Sequence, residues 1–138
     1  MLTQQLNECL NVFEGDLNMN NHKLPHDHGQ NEVKILEKLP SIEECRKVAD
    51  IFKQISDGTR LRILWFLCHC EECVSNISAA VGMSDPAVSH HLKVLRKAGL
   101  IVSRREGKEI YYKIADTMVA EHIHQICEEI FQIACPLE

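Results

Sequence analysis

No stretch of this chain approaches the run of about twenty apolar residues that a membrane-spanning helix needs. Its first residues also lack the basic and then apolar pattern of a secretory leader. A cytoplasmic protein with no membrane partner is expected. There is no glycine-rich loop of the kind that cradles phosphate, and nothing resembles a nucleophile oriented by a base. These gaps argue against an enzyme and against an organic cofactor, and the adjacent Glu71 and Glu72 read more simply as a solvated turn than as a catalytic pair.

Excess positive charge is missing too, since the formal net charge is −5. Taken alone, that argues against nucleic acid. Its distribution argues the other way: residues 58 to 113 hold nine Lys/Arg against five Asp/Glu, residues 1 to 57 hold six against ten, and residues 114 to 138 hold none against five. Sequence-independent affinity for nucleic acid comes from phosphate neutralisation, so the basic middle is the candidate segment and the acidic flanks restrain non-specific binding. Seven cysteines are an odd number, and in a reducing compartment they favour metal or redox chemistry over a disulfide framework.

Residues 84 to 98 read as an amphipathic helix with sharp ends. Ser84 suits the N-cap, Asp85 and Pro86 suit the first turn, and Gly99 offers a left-handed stop. Val88, Leu92 and Leu95 make its apolar face. Asp85, Ser89, His90, Lys93 and Lys97 make the polar face, with short groups first and lysines later. A shorter helix marked by Val74, Ile77 and Val81 precedes it across Gly82-Met83, which gives a helix-turn-helix. After Gly99, residues 100 to 103 and 110 to 114 have strand character and flank the basic turn Arg104 to Lys108. The expected fold is therefore mainly α with a small β-hairpin, a winged helix-turn-helix. Ser84, Asp85, Ala87, Ser89 and His90 are the candidates to meet base edges or nearby phosphates, and Lys93, Arg104, Arg105 and Lys108 the candidates to neutralise phosphate. His91, nearer the apolar edge, is expected to pack.

The order Asp57-x-Thr59-Arg60-Leu61-Arg62-Ile63-Leu64, Glu72-Cys73-Val74, Ala87-Val88-Ser89-His90-His91-Leu92, Leu95-x-x-Ala98-Gly99-Leu100-Ile101 and Gly107-x-x-x-Tyr111-Tyr112 resembles the ArsR/SmtB family of metal-sensing repressors. The resemblance covers residues 41 to 134. It implies a homodimer that joins through its first and last helices, binds double-stranded DNA at an inverted-repeat operator, and is released by a metal ion.

Around that domain, residues 1 to 40 are expected to form a flexible N-terminal arm and residues 135 to 138 a C-terminal tail. Within the arm, Leu2, Leu6, Cys9, Leu10 and Phe13 mark a weak helix over residues 2 to 13, unless translation starts at Met19. Pro25 and Gly29 interrupt the polar stretch that carries His22, His26 and His28. Ser41 and Glu44 predict a capping box for a helix whose apolar face is Val48, Ile51, Phe52 and Ile55. The next helix is expected to start at Asp57 and to pack through Leu61, Leu64 and Leu67, with Trp65 and Phe66 in the core. In the last helix, Val119, Ile123, Ile126, Ile130 and Ile133 recur in alternating steps of four and three, a seam for another helix or a closure of the monomer core.

Three sensor sites are candidates. Cys68, His69, Cys70 and Cys73 crowd the junction before the helix-turn-helix, and thiolates suit Cd(II), Pb(II) or Zn(II). The resemblance implies that an N-terminal arm completes such a site, here with His26 and His28. Ser75 stands where the family's cadmium and lead sensors have a second cysteine, and Ser75 and Ser78 replace two cysteines of its arsenic pattern. In the last helix the family's zinc pattern keeps only Asp116, with Met118, Glu129 and Gln132 at its other positions; His122, His124 and Cys127 are a shifted alternative. The third candidate is a redox- or persulfide-responsive pair, Cys45 and Cys127. A module that does not bind DNA and serves only interactions is the reading of another class.

Overall fold

The computed structural model describes residues 24–26 and 28–136. The expected helix over residues 2 to 13, the alternative start at Met19, and His22 lie outside the described residues. The chain divides into two units, Met1–Leu39 and Pro40–Glu138. In the first, a five-residue helix α1 (Glu32–Leu36) interrupts what the sequence suggested was irregular arm. His26 and His28 belong to this unit, their rings 6.2 Å apart.

The second unit runs α2 (Ile42–Ile55), α3 (Gly58–His69), β1 (Glu72–Cys73), α4 (Val74–Val81), α5 (Asp85–Lys97), β2 (Ile101–Glu106), β3 (Glu109–Ile114) and α6 (Met118–Ala134). Local chemistry fixes most helix ends. The Ser41 amide donates to Glu44 Oε2 at 2.6 Å and the Glu44 amide to Ser41 Oγ at 3.2 Å, a complete capping box. Asp57 Oδ1 accepts from the Arg60 amide at 2.9 Å at the start of α3. Gly82, at φ 70°, closes α4 in the left-handed region that costs other residues strain. Thr117 caps α6, accepting from the Ala120 amide at 3.2 Å.

The sheet is antiparallel in the order β1-β3-β2. β2 and β3 pair from Ile101↔Ile114 to Glu106↔Glu109, and Gly107 at φ 61° sits in the two-residue turn. The strands therefore run further than the sequence suggested, and Arg104 and Arg105 belong to β2 rather than to the turn. β1, which adds Glu72↔Tyr112 and Cys73↔Tyr111, was not anticipated.

One core unites the second unit. Ile63, Leu64 and Leu67 of α3 meet Ile77 and Val81 of α4, Val88, Leu92 and Leu95 of α5, Leu100, Ile101, and Ile123 of α6. Phe66 packs against this cluster, but Trp65 does not enter it. Trp65 points away from the side that carries Ile63, Leu64 and Leu67, is 41 % exposed, and stacks 4.3 Å from the His69 ring. The α6 seam is likewise turned outward: Ile123 is buried, whereas Val119, Ile126, Ile130 and Ile133 are exposed, as are Val48 and Phe52 of α2. The seam therefore does not serve mainly to close the monomer core. No helix among the described residues is long and apolar enough to cross a membrane.

Candidate nucleic-acid interface

Helix α5 separates its two faces sharply. Val88, Leu92 and Leu95 are fully buried, while Ser84, Asp85, Ser89, His90, Lys93 and Lys97 are exposed; Ala87 and His91 are half-buried. Ser84 Oγ accepts from the Ala87 amide at 3.4 Å, which holds the first turn. Asp85 has a second partner: Ser75 of α4 donates its hydroxyl to Asp85 Oδ2 at 3.3 Å and ties the two helices of the motif together. The exposed face therefore begins with small polar groups at a helix N-terminus and ends with lysines, one turn apart. That order matches base edges followed by phosphates.

The wing carries its cations unequally. Arg104 is bound to Glu71 at the α3–β1 junction, through its Nε at 2.7 Å and a second nitrogen at 2.5 Å. It also reaches Glu106 at 2.6 Å and lies 4.9 Å over the Tyr111 ring. The hydrogen bond from Arg104 holds the Glu71 carboxyl below the ordinary carboxylate range. Arg104 is thus a brace between wing and junction. Arg105 and Lys108 are exposed and, among the described residues, Lys93, Lys97 and Lys108 have no ion pair. Arg96 braces α5 to the wing, donating to Ser103 Oγ at 3.2 Å.

The junction thiols face three different surroundings. Cys73 is buried at the N-cap of α4, where Glu72 Oε2 accepts from the Cys73 amide at 3.2 Å and from Asn76 Nδ2 at 2.8 Å. Cys70 points its sulfur back to the Phe66 carbonyl at 3.4 Å. Cys68 is half-buried against the core, and burial, with Cys127 and Glu128 adding their charge, pushes its thiol up to about 12. Burial also raises the Cys70 and Cys127 thiols. Among the described residues, no three of these sulfurs and their acidic neighbours converge on one point. Cys45 is exposed near the start of α2, its sulfur 4.0 Å from the Pro40 carbonyl, while Cys127 lies by Cys68 and Glu128. His122 and His124, two residues apart on α6, point to different sides. His122 bonds the Met118 carbonyl at 2.7 Å, and His124 turns toward α3.

A raised, half-buried thiol is a poor nucleophile. Ellman titration of the reduced protein at pH 8 is expected to modify exposed Cys135 at least about ten times faster than Cys68. Equal rates, read by peptide mass mapping, would contradict this burial of Cys68.

Residues 57–103 match the family described as "Bacterial regulatory protein, arsR family". Over 106 residues the chain is 30 % identical to a protein of Synechocystis sp. named "Transcriptional repressor SmtB homolog", covering 77 % of this chain and 80 % of that one. The chain belongs to the ArsR family. Its members are DNA-binding transcriptional regulators, not enzymes. A Staphylococcus aureus relative named "Cadmium resistance transcriptional regulatory protein CadC homolog" is 38 % identical over 85 residues, 61 % of this chain and 67 % of that one. In structure, the chain is similar to a Mycobacterium bovis domain described as a "homodimeric winged helix-turn-helix DNA-binding domain", with TM-score 0.58, 27 % identity, and coverage of 82 % of this chain and 94 % of that one. In this ArsR-family chain the matched segment spans α3 to the first half of β2, the part that holds the two helices of the motif. Sequence reasoning missed the brace residue Glu71 and the α4–α5 tie from Ser75. Each depends on a partner that the fold supplies, and only the Glu72-Cys73-Val74 motif hinted that this junction is structured.

Proposed function

We propose that this chain is a homodimeric transcriptional repressor that binds an inverted-repeat DNA operator and releases it when a soft or borderline metal ion, Cd(II), Pb(II) or Zn(II), binds. The observation that carries the DNA part is the exposed polar face of α5, with its apolar face fully buried. Ser84, Asp85, Ala87, Ser89 and His90 are its base-facing candidates, and Lys93, Arg105 and Lys108 its phosphate-facing ones. Arg104, already paired with Glu71 and Glu106, serves mainly to hold the wing.

The dimer rests on the exposed apolar residues of α2 and α6, an arrangement that leaves a helix seam without a partner in one copy. Two copies related by a two-fold axis present their α5 helices about 34–36 Å apart, one turn of DNA. The metal part rests on the family and on relatives whose names include cadmium resistance. Cys73, with Cys70 and Cys68, remains the thiol set nearest the helix-turn-helix. Linkage sets the size of the response: metal must favour the low-affinity form by as much as it weakens the DNA complex, typically about 1–3 kcal/mol.

Salt dependence of duplex binding tests the assignment of the cations. Lys93→Ala and Lys108→Ala are each expected to weaken specific and random duplexes alike. Each should also reduce the slope of log K against log salt by about 0.9 for every phosphate left without its cation. Arg104→Ala should change the slope less. An unchanged slope in both lysine variants would count against this face as the DNA surface.

A further inference from the structure

Three ligating side chains outside the junction thiols meet where the last helix crosses the end of α3. His69 closes α3, and His124 and Glu128 lie one turn apart on α6. Glu128 Oε1 stands 3.3 Å from His69 Nε2 and 3.6 Å from His124 Nε2, and all three ligand atoms lie within 4.8 Å of one another. The two imidazole rings meet edge to face at 5.2 Å.

The proton positions make this cluster unusual. His69 Nδ1 lies 2.7 Å from the Trp65 carbonyl, which can only accept, so Nδ1 carries the hydrogen. In the neutral ring Nε2 then offers a lone pair to a carboxylate oxygen that also only accepts. His124 Nε2 and Glu128 Oε1 are buried atoms with no hydrogen-bond partner; at 3.6 Å they lie within ion-pair range of each other but too far apart for a hydrogen bond. Lone pairs gathered in this way repel one another unless a cation sits among them, and the cluster is open enough for an ion to enter, with the side chains of His69, Glu128 and His124 43 %, 36 % and 31 % exposed. A proton on one ring serves one pairing. A divalent ion serves all three.

The spacing fits that ion. Ligand atoms about 2.0–2.2 Å from a tetrahedral Zn(II) stand about 3.3–3.6 Å apart, and two of the three edges here are 3.3 and 3.6 Å. The Trp65 carbonyl on His69 Nδ1 is the outer partner that ligating histidines ordinarily have, fixing the tautomer that points Nε2 at the metal. The ring is steadied further by Trp65, 4.3 Å away. We infer that His69, His124 and Glu128 form a site for a borderline divalent cation such as Zn(II), with a fourth position open to water. None of Asp116, Met118, Glu129 or Gln132 takes part, so this is not the last-helix pattern that the sequence resemblance implies. An ion here would clamp α6 to the end of α3, the helix that leads directly into β1 and α4. As the means of releasing DNA, the clamp rests on the metal-responsive reading above; as a binding site it does not.

The test uses the full-length, reduced, metal-free protein, titrated with Co(II) as spectroscopic probe and with Zn(II) in competition, with no DNA present. In a Cys68→Ser, Cys70→Ser, Cys73→Ser background, which removes the junction thiols, the expected result is the visible band set of tetrahedral Co(II) without a near-ultraviolet sulfur-to-cobalt band. His69→Ala, His124→Gln and Glu128→Gln should each weaken Zn(II) binding by at least about 100-fold, the upper end of what outer-shell changes cost metal sites. Cys73→Ser should leave it unchanged. Circular dichroism melts of the same variants show that each is folded, and agreement among three different substitutions excludes a single misfolded protein as the cause. Absence of the tetrahedral Co(II) bands in that background, or unchanged affinity in the three variants, would overturn the site. Anisotropy on an operator duplex separates the two readings: metal that binds here without releasing DNA leaves the site standing and removes it as the means of release, whereas release that survives in all three variants assigns release to other ligands and leaves the metal-responsive repressor standing.

Discussion

Leu92→Ala is expected to lower the unfolding free energy by about 2–5 kcal/mol, a large fraction of what a domain of this size possesses. Leu92 is fully buried at the middle of α5, between Val88 and Leu95 on the same face, and packs into the cluster that also holds Ile63 and Ile77. Truncation removes three carbons from a closed site whose neighbours come from different helices, so the cavity cannot collapse cheaply. The face that would meet DNA is the opposite side of the same helix, and its geometry depends on this packing. Urea denaturation followed by circular dichroism should show a lower midpoint with an unchanged slope. Lys93→Ala, one residue along and exposed, should stay within about 0.5 kcal/mol of the parent. A loss below about 1 kcal/mol for Leu92→Ala would place the core of this unit elsewhere.

Charging the α6 seam has the other large expected effect, and it acts on binding rather than on folding. Ile126 and Ile130 are 42 % and 56 % exposed in the single chain, so the double substitution Ile126→Glu, Ile130→Glu buries no charge within one copy. Across a symmetric helix pair it sets like charges against each other at the centre of the seam. Sedimentation should show a monomer. Affinity for a duplex with both half-sites should fall by about 10²–10⁴, the advantage forfeited when binding to the second half-site is no longer intramolecular. Affinity for a single half-site should hardly move. An equal fall on both duplexes would point to damage within the subunit, and no fall on either would remove α6 from the interface.

The parts of this fold that were legible in the sequence are those with local causes. Ser84, Pro86 and Gly99 delimit α5 by capping and dihedral preference, and the Ser41–Glu44 box starts α2; both occur where expected. Trp65 was misplaced because residue type was weighed above position. A helical period that buries residues 63, 64 and 67 turns residue 65 outward. The wing was drawn too short because Arg104, Arg105 and Glu106 look like turn residues, yet a hairpin exposed on its outer side accepts charge along its strands. Two residues of β1 carry no periodicity to read.

Long-range pairings were out of reach for a different reason. Arg104 reads as a phosphate cation until Glu71, 33 residues away, is seen beside it. His124 and Glu128 share a helix face by spacing alone, but only the packing of α6 on α3 brings His69 to them. The same packing puts Cys127 by Cys68, a neighbour that sequence spacing could not supply. Chemistry that depends on one element is thus readable from the chain, and chemistry that depends on two helices meeting is not.

In the proposed repressor, metal and DNA bind in competition through one two-state domain. The decisive measurement is fluorescence anisotropy of the reduced, metal-free protein on an inverted-repeat duplex, titrated with Cd(II) and then Zn(II). Tight binding without metal is expected, with a fall in affinity of about 5–150-fold at saturating metal that a chelator reverses. Anisotropy that does not change with either metal, while an oxidant releases the duplex, would contradict it.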